Sequence, residues 1–188
     1  MAYARTEGRG PTIVFLGGFR SDMTGTKAVA LEAWANKSGR AFLRFDYLGH
    51  GQSSGRFEDG TIGRWLDDSL AVIDTLTTGK LVLVGSSMGG HVCTAGSRLL
   101  RAAGLFLMAP AFYMPGYEEL TPVPPSCPIS IVHGWRDDVV PVDNSIRFAR
   151  QYNAALHVLD TDHRMQDRVS EIGNLFEYFL ITLDKFGG

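Results

Sequence analysis

Residues 85–89 read Gly-Ser-Ser-Met-Gly and fit the pattern G-x-S-x-G. They follow the apolar run Leu81–Val84 and precede a segment with a helical pattern, so Ser87 is predicted at a sharp turn between a strand and a helix. Such a nucleophile elbow needs small residues on both sides of the serine, because strand and helix approach closely there. The helix N-terminus favours the negative charge that develops on a substrate oxygen. The alternative interpretation is a flexible glycine-rich turn.

A serine hydroxyl is a weak nucleophile and needs a general base that is itself oriented by a carboxylate. His163 lies in a loop after the last predicted strand, where the third member of such a set is expected. His91 is its strongest rival because it is close to Ser87 in sequence. One turn into the helix, however, it is expected to point away from the hydroxyl. The remaining histidines are His50, His133 and His157.

The carboxylate is predicted in the loop after the preceding strand, where Asp137 and Asp138 are neighbours. The residue types alone barely separate the two. Adjacent loop residues usually point in different directions, so one is expected to face His163 and the other the solvent. Asp162, next to His163, is expected to shape its loop.

An oxyanion hole requires two backbone donors aimed at the developing negative oxygen. The N–H of Met88, directly after the serine, is one predicted donor. The other is the N–H of Phe19, because the glycines at 17 and 18 let that loop approach the substrate. The alternative is that this glycine pair only forms a tight turn.

Short apolar runs that alternate with longer amphipathic segments indicate the elements that would position these residues. Near-continuous apolar strands with intervening helices are typical of an α/β fold, with a mostly parallel sheet covered on both faces. Functional residues of such sheets lie at the carboxyl ends of the strands. The six predicted strands are Thr12–Leu16, Ala41–Phe45, Leu81–Val84, Leu105–Met108, Ile129–Val132 and Leu156–Leu159. The five predicted helices are Lys27–Lys37, Ile62–Leu76, His91–Leu100, Val142–Tyr152 and Val169–Phe186.

Residues 110–128 hold six of the eight prolines of the chain, a density that excludes long helices or strands. One interpretation is a stiff connection between two strands. The other is that Phe112, Tyr113 and Met114 form a wall of the substrate pocket above Ser87.

Two cations lie near the predicted oxyanion loop, Arg20 and Lys27. They could attract a substrate that carries a carboxylate, and Arg20 is predicted to line the substrate pocket. The alternative is that both are solvated surface residues.

The composition is that of one globular domain over residues 1–188, with a net charge of −2 and 45% hydrophobic residues. This charge gives no reason to expect nucleic acid as a partner. No apolar stretch reaches the roughly 20 residues of a membrane span. The first residues lack an apolar signal core, and the two cysteines form no disulfide framework, so a cytoplasmic location is expected.

With these motifs in order, the chain resembles the alpha/beta hydrolase family over nearly its whole length. Residues 45–53 are similar to the family's D-x-x-G-H-G-x-S loop, and residues 133–141 to its H-G-x-x-D-x-x-x-P segment. The resemblance implies that Asp137 is the acid of a Ser-His-Asp triad. Residues 162–165 match the family's histidine loop.

Residues 17–28, 44–47 and 85–90 resemble a subgroup of palmitoyl-protein thioesterases and acyl-glucuronide esterases that has small bacterial relatives. Only about twenty residues separate the two strands between which the family commonly inserts a helical cap, so a capless fold is expected. The resemblance implies a serine hydrolase that cleaves a small-molecule acyl ester or thioester through an acyl-enzyme, with no metal or cofactor. A non-catalytic, receptor-like member of the family is the alternative, and the oligomeric state stays open.

Overall fold

The computed structural model describes residues 1–186, and the last two residues of the predicted single domain lie outside this range. Seven strands form one sheet, surrounded by five helices. The strands are β1 (Tyr3–Thr6), β2 (Arg9–Leu16), β3 (Arg40–Phe45), β4 (Leu81–Ser86), β5 (Gly104–Met108), β6 (Ile129–Gly134) and β7 (Ala155–Leu159). The helices are α1 (Thr26–Lys37), α2 (Ile62–Leu76), α3 (Met88–Gly96), α4 (Val142–Tyr152) and α5 (Val169–Phe186).

The strands follow the order β1-β3-β2-β4-β5-β6-β7, and every neighbouring pair except β1–β3 is parallel. The carboxyl ends of β2, β4, β6 and β7 therefore meet at one edge of the sheet. In register, Leu16 of β2 pairs with Gly85 of β4, and Gly134 of β6 pairs with Leu159 of β7. The loops after these four strands carry the predicted site.

Alternate residues of the central strands pack against helices on opposite faces of the sheet. On one face, Val82 and Phe106 pack against the apolar sides of α1 and α5. On the other, Leu83 and Leu105 pack in the cluster that includes residues of α2, α3 and α4. All six residues of β4 are buried, which explains why this strand is a continuous apolar run in the sequence. The predicted alpha/beta hydrolase fold is confirmed.

Six strands were predicted, and β1 is the additional one. It is only four residues long, and exposed residues alternate with half-buried ones. It adds to the sheet at the edge, antiparallel to β3, so it has no continuous apolar run that would reveal it. Helix α3 also differs from the prediction, because it begins directly after Ser87 and ends at Gly96.

Residues 109–128, between β5 and β6, contain no helix or strand, which confirms that this part of the fold carries no cap. Within residues 1–186, no helix is both long and apolar enough to cross a lipid bilayer.

Candidate active site

Ser87 lies at the turn between β4 and α3 with φ 54° and ψ −116°, a backbone conformation that is costly for a residue with a Cβ atom. The turn is held by its backbone. The Ser87 amide donates to the carbonyl of Met108 (2.9 Å), and the Ser87 carbonyl accepts from the amide of Ala111 (3.0 Å). A Cβ on Gly85 would collide with the backbone of Gly90, so glycine is required where strand and helix cross.

His163 connects Ser87 to Asp137 through both ring nitrogens. Its Nε2 atom lies 3.1 Å from the Oγ of Ser87, and its Nδ1 atom lies 2.8 Å from Oδ2 of Asp137. Because the carboxylate can only accept, Nδ1 carries a proton and Nε2 is free to accept the serine proton. The side chain of Asp137 is buried, and that of His163 is 18% exposed. The chain of contacts can therefore transfer a proton from a half-buried hydroxyl to an oriented imidazole.

Asp137 is held as a carboxylate by several donors. Its Oδ1 atom accepts from the amides of Val139 (2.9 Å) and Val140 (2.8 Å). Burial raises the pKa of Asp137, but hydrogen bonds from His133, His163 and these two amides outweigh it and keep the pKa well below its usual range. The carboxyl of Asp137 is therefore negatively charged where it accepts from His163.

Within residues 1–186, Asp137 is the carboxylate that pairs with the His163 ring, and the other acidic candidates form no ion pair with it. Asp138 is exposed, as expected for the neighbour that faces solvent. The Oδ1 atom of Asp162 accepts hydrogen bonds from the amides of Arg164 (2.9 Å) and Met165 (3.0 Å). These bonds fix the turn that holds His163.

The rival histidines lie elsewhere. His91 points its Nε2 atom at the carbonyl of Leu120 (3.1 Å), and burial lowers its pKa. His50 is buried among the rings of Tyr47, Phe57 and Trp65. Neither is hydrogen-bonded to the Ser87 hydroxyl.

The loop after β2 lies against the elbow. A Cβ on Gly18 would lie 3.4 Å from the Cβ of Ser87. A Cβ on Gly89 would collide with the carbonyl oxygens of Leu16 and Gly17. The loop that carries the Phe19 amide therefore adjoins the first turn of α3, whose leading N–H groups have no intrahelical acceptor. The Phe19 ring itself is half exposed and packs edge-on against Phe57, with 5.0 Å between centroids.

A cavity of about 330 Å³ opens beside Ser87 and His163. Its other lining residues include Phe15, Gly18, Phe19, Asp22, Lys27 and Arg164. It is bounded by the loops after β2, β4 and β7 together with the first turn of α1.

The four residues predicted to line the substrate pocket do not line this cavity. Phe112 is fully buried and stacks on Phe148 of α4 (3.9 Å between centroids), so its ring belongs to the core. The ring of Tyr113 lies beneath Arg147, with 4.0 Å between the ring centroid and the guanidinium carbon. Met114 contacts the side-chain amide of Asn144.

Arg20, the fourth of these residues, is exposed and lies over the ring of Phe57, 4.9 Å from its centroid. It lines a second cavity of about 290 Å³, together with His50 and Glu58.

Two site residues were not identified from the sequence. His133 was considered only as a rival base, yet its Nε2 atom contacts Asp137. His133 and Asp137 are four residues apart across the turn after β6, and this spacing was the signal in the sequence that could have revealed their contact. The sequence leaves two roles open for Lys27, substrate binding or a place on the solvated surface. In the structure, Lys27 lines the cavity. Within residues 1–186, no group of three or more His, Cys, Asp or Glu side chains forms a metal site.

A family model described as "Alpha/beta hydrolase family" matches residues 13–182. The chain belongs to the alpha/beta hydrolase family. It is 31% identical to the mitochondrial palmitoyl-protein thioesterase ABHD10 of Bos taurus, over 89% of this chain and 72% of that protein. The predicted family, its subgroup and the hydrolase class are confirmed by these matches.

Two solved structures have the same fold. Mouse alpha/beta hydrolase domain-containing protein 10 superposes with a TM-score of 0.87 at 26% identity, over 96% of this chain and 94% of that chain. Est1E of Butyrivibrio proteoclasticus, solved with ferulic acid, has a TM-score of 0.86 at 22% identity, over 98% and 95% of the two chains. The second likeness concerns the fold alone. The cytoplasmic location stays a prediction.

Proposed function

We propose that the protein is a serine hydrolase that cleaves carboxylic ester or thioester bonds through an acyl-enzyme intermediate. The observation that carries this proposal is the pair of contacts made by His163, 3.1 Å to the Ser87 hydroxyl and 2.8 Å to the Asp137 carboxylate. A serine with a general base in reach, itself oriented by a buried carboxylate, is the arrangement that acyl transfer requires.

In the first half-reaction, the Oγ of Ser87 forms a bond to the substrate carbonyl carbon while its proton moves to Nε2 of His163. The carbonyl oxygen becomes negative and accepts hydrogen bonds from the amides of Phe19 and Met88. The bond to the leaving alcohol or thiol then breaks, and His163 returns the proton to it. Asp137 keeps the proton of His163 on Nδ1 and stabilises the imidazolium.

In the second half-reaction, water replaces the leaving group. His163 accepts a proton from the water as it attacks the acyl carbon, and the bond between that carbon and Oγ breaks. The proton returns to Ser87, and the carboxylic acid leaves. No metal or cofactor takes part in the proposed cycle.

The name of the ABHD10 relatives, palmitoyl-protein thioesterase, supports thioesters as substrates beside oxygen esters. Hydrolysis rates for short acyl esters, a palmitoyl thioester and an acyl glucuronide would rank the substrate classes. Negligible rates on all three would contradict the proposed substrate class.

Labelling with a fluorophosphonate probe and turnover of p-nitrophenyl acetate test the nucleophile. We expect Ser87→Ala to abolish labelling and to lower kcat by about 10⁴-fold or more. Ser170→Ala, an exposed serine in the first turn of α5, is the matched control and should keep the wild-type rate. Labelling at another residue, or near-normal turnover by Ser87→Ala, would refute the assignment and favour the non-catalytic alternative.

A further inference from the structure

Lys27 occupies an unusual position for a lysine. It lies in the first turn of α1 and lines the same cavity as Ser87 and His163. Its side chain is half-buried, whereas Lys37 at the other end of the helix is exposed. The positive end of the helix dipole is an unfavourable place for a cation. The stability of α1 therefore gives no reason for a lysine here.

Within residues 1–186, no carboxylate forms an ion pair with the Lys27 amine. Burial lowers its pKa to about 8, although the more distant carboxylates of Asp137 and Asp162 act in the opposite direction. A partly desolvated cation without a partner is costly, and a ligand anion would remove that cost.

Two further charged side chains line the cavity beside Lys27, one cation and one carboxylate. Arg164 also lines the cavity and forms no ion pair within the described range. Asp22 is the carboxylate and would repel a bound anion. It is exposed and already accepts hydrogen bonds from the amide of Thr24 (2.7 Å) and from the Thr24 hydroxyl. One half-buried cation and one exposed cation thus share the cavity with a carboxylate that is already hydrogen-bonded.

We propose that Lys27 binds a carboxylate of the substrate, so that the enzyme prefers esters or thioesters that carry an anionic group near the bond to be cleaved. This inference rests on the proposed role of Ser87, because the cavity is a substrate site only if Ser87 is the nucleophile. Lys27 is then a specificity-determining residue of the cavity and not a solvated surface residue.

Two pairs of substrates, each a charged ester and a matched neutral ester, test on which side of the scissile bond the substrate carboxylate must lie. In 4-acetoxybenzoate and its methyl ester, the charge lies on the leaving group. In mono-4-nitrophenyl adipate and 4-nitrophenyl hexanoate, it lies on the acyl group. The measured quantity is the ratio of kcat/KM for the charged ester to that for the neutral ester, because effects on the Ser87–His163–Asp137 set cancel in this ratio.

We expect Lys27→Met to lower this ratio roughly 10- to 100-fold in at least one pair, since charge-assisted hydrogen bonds are the strong ones. Lys27→Arg should keep most of the ratio because it keeps the charge. Lys37→Met makes the same substitution at the exposed end of the same helix and should leave both ratios at the wild-type value. Unchanged ratios in Lys27→Met would overturn the proposal. This holds also where both members of each pair lose rate equally, because Lys27 would then act on the nucleophile.

A binding measurement separates this inference from the proposed function. Calorimetric titration of the Ser87→Ala variant with mono-4-nitrophenyl adipate needs no turnover, and we expect binding that the added Lys27→Met change weakens at least 10-fold. Equal binding by both variants contradicts the carboxylate site. Full turnover by Ser87→Ala contradicts the nucleophile instead.

Discussion

The Nε2 atom of His133 lies 3.1 Å from Oδ2 of Asp137, the same oxygen that accepts from His163. It also lies 3.0 Å from the carbonyl of Val140, and Nδ1 lies 2.7 Å from the Ser145 hydroxyl. Both partners of Nε2 are acceptors, so this nitrogen carries the proton and donates to them. The carboxylate of Asp137 is thus held between two imidazoles, one fully buried and one at the cavity.

Removal of the His133 donor should change the basicity of His163. In His133→Met, the Asp137 carboxylate loses one hydrogen bond and attracts the proton of His163 more strongly. The acidic limb of the kcat/KM profile should therefore move to higher pH, and kcat/KM should fall roughly 10-fold. The measurement is the pH profile with p-nitrophenyl acetate.

The control for this prediction is His133→Gln, whose amide can donate from nearly the same position. It should recover most of the rate and return the acidic limb toward the wild-type pH. Both variants disturb a buried site, so their melting temperatures are compared separately. A loss of stability with an unmoved acidic limb would mean that His133 only fills the core.

The contact between the loop after β2 and the first turn of α3 should make Gly89 intolerant of any side chain. A Cβ there would collide with the carbonyl oxygens of Leu16 and Gly17, which are backbone atoms and cannot turn away. We expect Gly89→Ala to lower the free energy of unfolding by about 3 kcal/mol or more.

Gly173 in α5 provides the matched control. It is also a helical glycine, but a Cβ there would meet no atom within 4 Å. Gly173→Ala should raise the free energy of unfolding by about 0.5–1 kcal/mol, because alanine is the better helix former. Urea denaturation measures both variants, and equal effects would show that the close approach at Gly89 can relax.

The preference for anionic esters should depend on pH. Since burial lowers the pKa of Lys27 to about 8, the amine is charged below that pH and neutral above it. The kcat/KM ratio of charged to neutral ester should therefore fall between about pH 6.5 and about pH 9.5.

Lys27→Arg is the control for this pH dependence, because guanidinium stays protonated throughout. Its ratio should remain constant with pH. A wild-type ratio that is equally constant would contradict a titrating amine at this position.

The sequence was sufficient to predict which strands lie at the centre of the fold. Leu81–Val84 and Leu105–Met108 are buried on both faces, so they cannot alternate with polar residues and are recognisable as apolar runs. The edge strand Tyr3–Thr6 has only partly buried residues and was missed for that reason. The order Ser87, Asp137, His163 followed from motifs at strand ends, because parallel strands bring their carboxyl ends to one edge.

Only the tertiary structure decided which side chains meet in that order. Asp137 and Asp138 are equivalent as residue types. The Val139 and Val140 amides turn the first inward, and the second stays exposed. The sequence alone allows Phe112 to be either a wall of the pocket or part of the core. Its ring stacks on Phe148, 36 residues later in the chain, and therefore belongs to the core.

The same is true of Lys27, which lies 60 residues before Ser87 in the chain. The spacing of apolar residues reflects the burial of the strand or helix in which they lie. It therefore predicts strands, helices and the loops between them. Contacts between distant loops depend on how the sheet brings strand ends together, and they are set only when the chain is packed. The strand–turn–helix at Ser87 was therefore predictable from five residues, whereas the position of Lys27 in the same cavity was decided only by the fold.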